Sequence, residues 1–333
     1  MIIDMHTHYV PADLADAFRG RKVPPYIETK EDGFEIFHMP HGPLAFPPSF
    51  VDMEARLGYM EEQGVARQVV SFPGLFGLDS IAADESLPLV KMFNDATAQL
   101  TESHSGAFSS MAALPFADMN LAVKEYKRAR NELGLMGAIL PVNGFVSLAD
   151  AEKFRPIFEI AQDIGGHLFI HPGRRPDEVP ETYDPNRRTP FSDSVPERMA
   201  LVVQDRVAHC MVTLLFSDFL DPYPDVTLQV ANLGGTLPMV IERMDQTAFT
   251  RGFDRPYPSE KSQRVHVDCS SLGPRALETA VALFGADRVV FGTDCPIFLT
   301  DWSKKAIDDA RLSDVDREAI LFGNAEELLE RHT

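Results

Sequence analysis

Short apolar runs recur eight times along this chain, each separated from the next by a longer stretch of helical period. The runs are Ile2–Met5, Gln68–Phe72, Ser109–Leu114, Gly137–Val142, His167–Ile170, Thr227–Val230, Val265–Asp268 and Arg288–Phe291. Several, such as GAIL, HLFI and RVVF, are apolar almost throughout, as parallel strands covered on both faces require. Between them, 52–63 (DMEARLGYMEEQ) and 120–133 (NLAVKEYKRARNEL) space apolar residues three and four apart, and 149–164, 196–220, 274–283 and 314–329 read the same way. Eight strands alternating with helices predict an α/β fold, a (β/α)8 TIM barrel, with a doubly wound open sheet as the alternative. In either fold a ligand meets the carboxyl ends of the strands.

Three stretches stand outside the alternation: Pro11–Ser49, Pro172–Pro196 and Gln246–Ser262. Their prolines withhold backbone donors, so all three are expected to be irregular, long βα loops of the binding type. No linker or repeat divides the sequence, and 1–333 reads as a single domain. Acidic residues number 50 against 31 basic ones, a formal charge of −19. A nucleic acid or an anionic membrane needs a basic face, so neither is an expected partner. Cys210, Cys269 and Cys295 are too scattered for a disulfide framework. The start MIIDMHTHYV has no basic segment, and strongly apolar stretches reach only six or seven residues, short of the roughly 18 of a membrane span. A cytoplasmic location is expected.

The first run ends in Asp4-Met5-His6-Thr7-His8. Residues two apart in an extended segment point the same way, so His6 and His8 present two imidazoles to one point, half of a first-row metal site. The fifth run is followed by His171, with Pro172-Gly173 turning the chain away, and the eighth ends RVVFGTDCP with Asp294 at its carboxyl terminus. Taken singly, the His pair fits a surface turn and Asp294 a helix cap. At the ends of strands one, five and eight of a barrel they converge on one mouth. Three imidazoles and a carboxylate suit Zn²⁺ best and accept Mn²⁺ or Fe²⁺, because no thiolate narrows the choice. Cys295 points away from Asp294 if the extended geometry continues.

With DMHTH at 4–8, EARLGYMEEQGVARQVVS at 54–71, HP at 171–172, LGGTLP at 233–238 and FGTDCP at 291–296, the chain resembles the amidohydrolase superfamily over nearly its whole length. More narrowly, it is similar to the amidohydrolase-related branch that includes the 2-amino-3-carboxymuconate-6-semialdehyde, γ-resorcylate and 5-carboxyvanillate decarboxylases. The resemblance implies one divalent metal on His6, His8, His171 and Asp294 without a carbamylated lysine, and the fourth strand (GAILPVNG) offers no Lys. One position departs from the branch. Its pattern A-H-x-G-G at the end of strand six is here Ala231-Asn232-Leu233-Gly234-Gly235. Asn232 can orient a metal-bound water or polarise a substrate oxygen, but an amide cannot take a proton. His266, in the seventh strand's VHVDC, is a candidate for the missing imidazole, though a lone strand histidine is more often packed or capped.

A small anionic substrate needs cationic groups. Arg243 matches a branch arginine that contacts the substrate carboxylate across a dimer interface, which implies a homodimer. Arg174, Arg175, Arg187 and Arg188 follow His171 near the expected mouth, among acids (Asp177, Glu178, Glu181, Asp184) that could equally pair with them. Phe34, Phe37, Phe46 and Phe50 either wall an aromatic substrate or pack the first loop.

The leading expectation is a metal-dependent carboxy-lyase, a decarboxylase of a small aromatic or unsaturated carboxylic acid, with Asp294 delivering the proton. The alternative is a hydrolase or hydratase that uses the same metal on an amide, lactone or C–C bond. A third reading, a catalytically idle barrel serving as a partner subunit, takes its motive from Asn232.

Overall fold

The computed structural model describes residues 1–184, 195, 197–252, 256–270 and 272–332. In chain order the elements are β1 (Ile2–His8), α1 (Ala12–Gly20), β2 (Tyr26–Thr29), β3 (Glu35–Met39), β4 (Gly42–Ala45), α2 (Met53–Gln63), β5 (Val65–Ser71), α3 (Ala83–Ser103), β6 (Phe108–Ala112), α4 (Met119–Asn131), β7 (Gly137–Pro141), α5 (Leu148–Ala151), α6 (Arg155–Ile164) and β8 (His167–His171). There follow α7 (Arg198–Phe216), β9 (Thr227–Val230), α8 (Leu237–Arg251), β10 (His266–Asp268), α9 (Pro274–Phe284), β11 (Val289–Val290), α10 (Thr300–Asp309), α11 (Asp314–Glu318) and α12 (Asn324–His332).

Eight parallel strands stand side by side in the order β1-β5-β6-β7-β8-β9-β10-β11. All eight apolar runs are these strands, within a few residues. The sheet curls back on itself: Met5 N–H donates to Phe291 O (2.9 Å), and His8 N–H to Cys295 O (2.7 Å). The helices cover the outside, so the expected α/β barrel is the observed one. Local chemistry sets their ends. Asp52 caps α2 by accepting from Ala55 N–H, and Gly64 closes it in the left-handed region (φ 71°) that glycine tolerates without strain.

The stretch 11–49 is not irregular. It holds α1 and a three-stranded antiparallel sheet, β2-β3-β4. The alternation in YIET and EIFHM turns Ile27 and Phe37 inward, where Phe18, Phe46, Phe50, Phe72 and Phe76 make a second core. Phe37, Phe46 and Phe50 therefore pack the insertion, and Phe34 lies exposed in its turn. Emptying the Phe37 site would cost about 3–5 kcal/mol. Residues 246–251 complete α8, correcting a second loop expectation.

The helical period over 196–220 is α7, but its 19 residues, with a mean hydropathy of 1.4, are long and apolar enough to cross a bilayer, where the sequence reading counted apolar stretches of only six or seven. In the fold, Val207, Cys210, Met211 and Leu214 of this helix are buried in the main barrel core. Its apolar character is that of a barrel helix.

Candidate metal centre

Four side chains meet at the carboxyl end of the barrel. His6 and His8 come from the end of β1, His171 from the end of β8, and Asp294 from just beyond β11. One donor atom from each lies within 4.8 Å of the others, and all four residues are buried. His8 Nε2 is 2.9 Å from Asp294 Oδ1 and 3.1 Å from His171 Nε2, with His6 Nε2 3.6 Å from the same oxygen. The three rings stand almost perpendicular, at 80–83° with centroids 4.6–5.3 Å apart, so their lone-pair edges rather than their faces converge.

The backbone is bent to allow this. The β1–β5 register shifts between Asp4 and Thr7, and Asp294 sits at φ 63°, a left-handed conformation that costs a non-glycine residue about 1 kcal/mol. Asp294 N–H donates to His6 O (2.7 Å), holding the turn against β1. Asp4 pins the same junction from beneath, accepting from Thr293 Oγ1 (2.6 Å) and Thr293 N–H (3.1 Å). Gly292 makes the approach feasible: a Cβ there would lie 2.9 Å from both His6 Cβ and Asp268 Cβ.

A divalent cation fits these donors. His6 Nε2 and Asp294 Oδ1 are buried without a well-formed hydrogen bond, and a cation between them supplies the missing partner. Burial lowers His6, yet Asp268 and Asp294 outweigh it and raise its imidazole to about 10. Burial raises Asp294, but His6 and His8 hold it well below the carboxylate range. His8 and His171 are shifted down by burial, and each is pushed further by the imidazoles around it, which leaves both as neutral donors. A metal ion in this pocket takes the place of the proton on His6.

A second ring of contacts orients the ligands. His6 Nδ1–H donates to Asp268 Oδ1 (3.1 Å), and His8 Nδ1 meets Ser71 Oγ at 3.2 Å. Asp268 also accepts from Gln229 Nε2 (2.8 Å), Ser270 N–H (3.1 Å) and Asn232 N–H (3.3 Å). Sequence reasoning passed over Asp268; its signal was an acid ending a strand, in VHVDC. Arg56 is buried as well, donating to Gln68 Oε1 (3.0 Å) and to the carbonyl of His8.

The other residues singled out in the sequence lie as follows. Asn232 is buried at φ 59°, and its Oδ1 accepts from Ser270 Oγ (2.7 Å), which ties the side chain to the strand bearing Asp268. Arg174 is half-buried three residues after His171. Arg175 is bound to Asp177 (2.8 Å), Asp150 (3.1 Å) and Asn143 O (3.0 Å), so the salt-bridging account of this loop applies to it. Arg187 and Arg188 lie outside the described residues. Arg243 is exposed on α8, where it lines a separate groove of about 580 Å³ with Val212, Phe216, Val240 and Met244. His266 opens β10 at the opposite end of the barrel from the metal ligands, lowered to about 4 by burial and by Arg288, Arg264 and Arg331. It is no substitute for the missing imidazole.

With this barrel and this ligand set in view, comparison with known proteins is specific. The amidohydrolase family model matches residues 3–331, and the chain belongs to that family. The γ-resorcylate decarboxylase of Polaromonas sp. (strain JS666) is 25% identical over 300 residues, covering 83% of this chain and 86% of its own. The 2-amino-3-carboxymuconate-6-semialdehyde decarboxylase of Dictyostelium discoideum is 26% identical over 293 residues, covering 84% and 76%. Among solved structures, a dihydroxybenzoic acid decarboxylase from Polaromonas sp. JS666, with bound manganese and the inhibitor 2-nitroresorcinol, superposes with a TM-score of 0.73 at 19% identity over 99% of this chain and 96% of that one.

Proposed function

We propose that this protein is a metal-dependent decarboxylase of a small aromatic or unsaturated carboxylic acid. The observation that carries the reading is the convergence of His6, His8, His171 and Asp294 at the barrel mouth. The decarboxylase names of the relatives support the reaction class. When bound, the cation would hold the substrate carboxylate and a neighbouring oxygen and offset charge that builds on the ring. The protein's own part is then positional and acid–base. His6, His8 and His171 keep their ring edges on one point. Asp294 gives a proton to the carbon that carries the carboxylate; the C–C bond breaks, its electron pair returns to the unsaturated system, and CO₂ leaves. Asp294 is ionised at rest, so the proton it delivers is first taken from the substrate's own acidic group or from solvent. Asn232 and the half-buried Arg174 are the proposed contacts to substrate oxygens, together with Arg187, which lies outside the described residues.

In this reading the protein is one domain over 1–333, located in the cytoplasm, with neither nucleic acid nor membrane as partner. Its metal is manganese, as in the Polaromonas structure, with zinc the other ion that the donor set suits. Arg243 acts across a homodimer interface, and its place in a groove that none of its own chain's metal ligands lines favours that arrangement. Loading the protein with Mn²⁺ or Zn²⁺ and measuring CO₂ release from a panel of hydroxybenzoates and muconates tests the reaction. Release from at least one member, lost in Asp294→Asn, is expected. No release anywhere, with brisk ester or amide hydrolysis, overturns it.

Asn232 favours a second reading, hydrolysis or hydration of an amide, lactone or C–C bond, because an amide there leaves the branch's decarboxylase pattern incomplete. Uptake of labelled oxygen from water into the product distinguishes the two.

A further inference from the structure

Polar side chains run the length of the barrel interior and end on the metal ligand His6. His332, on α12 beneath the barrel, places Nε2 2.7 Å from Thr227 Oγ1. Thr227 Oγ1 is 2.8 Å from His167 Nδ1, and His167 Nε2 is 3.3 Å from Gln229 Oε1. Gln229 Nε2 donates to Asp268 Oδ2 (2.8 Å), and Asp268 Oδ1 accepts from His6 Nδ1 (3.1 Å). All six residues are buried. We propose that this chain of hydrogen bonds, from His332 through Thr227, His167 and Gln229 to Asp268, is a tuning relay that holds His6 in its metal-binding tautomer and strengthens metal binding.

The chain can be polarised in only one sense while Asp268 is ionised. A carboxylate only accepts, so Gln229 must turn its NH₂ toward it. That leaves Gln229 Oε1 facing His167, which must then carry its proton on Nε2 and accept at Nδ1. Thr227 supplies that hydrogen, and its oxygen accepts from His332 Nε2–H. Every donor thus points up the barrel toward Asp268, and His6 completes the set by donating from the other side. With its second proton displaced, His6 keeps the one on Nδ1 and leaves Nε2 bare toward the other ligands. The reverse polarity would set an amide oxygen against the carboxylate. Burial keeps both lower histidines neutral, each lowered to about 3, which the one-way pattern needs. The amide of Gln229 cannot hand a proton on, so the relay aligns dipoles and does not conduct protons. In a water-excluded interior aligned hydrogen bonds strengthen one another, so an effect at His332 reaches the ligand. Arg130 fixes the lower end by donating to His332 O (2.9 Å).

The inference rests on the metal-site reading and not on the reaction. Thr227→Val removes the hydroxyl at nearly constant shape, Thr227→Ser restores it, and His332→Ala cuts the chain near its far end. Calorimetric titration of each metal-free protein with Mn²⁺ and Zn²⁺, without substrate, reads affinity, and nitrogen NMR of each protein loaded with Zn²⁺ reads which His6 ring nitrogen keeps its proton. Thr227→Val and His332→Ala are expected to weaken binding by roughly three- to tenfold and to mix the His6 tautomers, with Thr227→Ser near wild type. Lowered thermal stability with unchanged metal affinity in both variants would reduce the chain to core structure and overturn the proposal. Should Thr227→Val fail to fold, His332→Ala carries the test. Wild-type protein that binds neither metal overturns the relay and the site together, whereas tight metal binding without CO₂ release removes only the reaction.

Discussion

The barrel holds two clusters of histidines at its two ends, and their neighbours make them opposites. At the mouth, His6, His8 and His171 face the carboxylates Asp268 and Asp294. At the floor, His167 and His332 hydrogen-bond to Thr227, while the charges that act on His266 and His332 are those of Arg264, Arg288, Arg331 and Arg130. One end gathers excess negative charge in a buried cup, and the other meets positive charge. Three imidazoles do not define a metal site; the acids beside them do.

The largest test of that contrast removes a mouth ligand. His171→Ala or Asp294→Ala should lower metal affinity at least about a hundredfold, read by calorimetry, while His266→Ala at the floor should leave it unchanged. Asp268→Asn comes next. It keeps the shape but loses the charge facing His6, and affinity should fall about 10- to 100-fold. A variant that still binds like wild type would show that the imidazoles suffice.

Acidity separates the two ends in sign. The floor histidines His167 and His332 are shifted down to about 3 from an ordinary 6.5. Between those values the unfolded chain binds protons that the folded chain refuses, so they weaken the fold as pH falls from about 6.5 toward 3. At the mouth of the metal-free protein, His6 is raised to about 10. Its contribution is complete below about 6.5 and is lost as pH climbs toward 10. Thermal melts of metal-free protein should show both limbs, and His167→Gln should flatten only the acid one. Among the mouth residues the smallest effect expected is that of Ser71→Ala, which takes away the oxygen beside His8 Nδ1 and should cost roughly fivefold in metal affinity.

Much of this arrangement was legible in the order of residues. Buried parallel strands write themselves as apolar runs, and ligands at strand ends fall at the close of those runs, so both the barrel and the His6, His8, His171, Asp294 cluster could be read. Asp268 could not, because a single acid in VHVDC gains meaning only when closure of the barrel brings β10 across from β1. The inserted β2-β3-β4 sheet was hidden by its glycines and prolines, which suggest loop until Phe37 is seen pairing with Leu44 and packing on Phe76. His266 read as a candidate imidazole because it lies in the right strand. It opens that strand rather than ending it, and that difference puts it at the wrong end of the barrel.

The bonds between Asp4 and Thr293 join residues 289 apart in sequence. Contacts of such separation carry the largest loop-closure cost and come late in assembly. The four-ligand cup needs His6 and Asp294 side by side, so a chain still being synthesised has His6 and His8 long before it has a chelating pocket. The complete four-donor pocket therefore exists only in a chain whose barrel has closed.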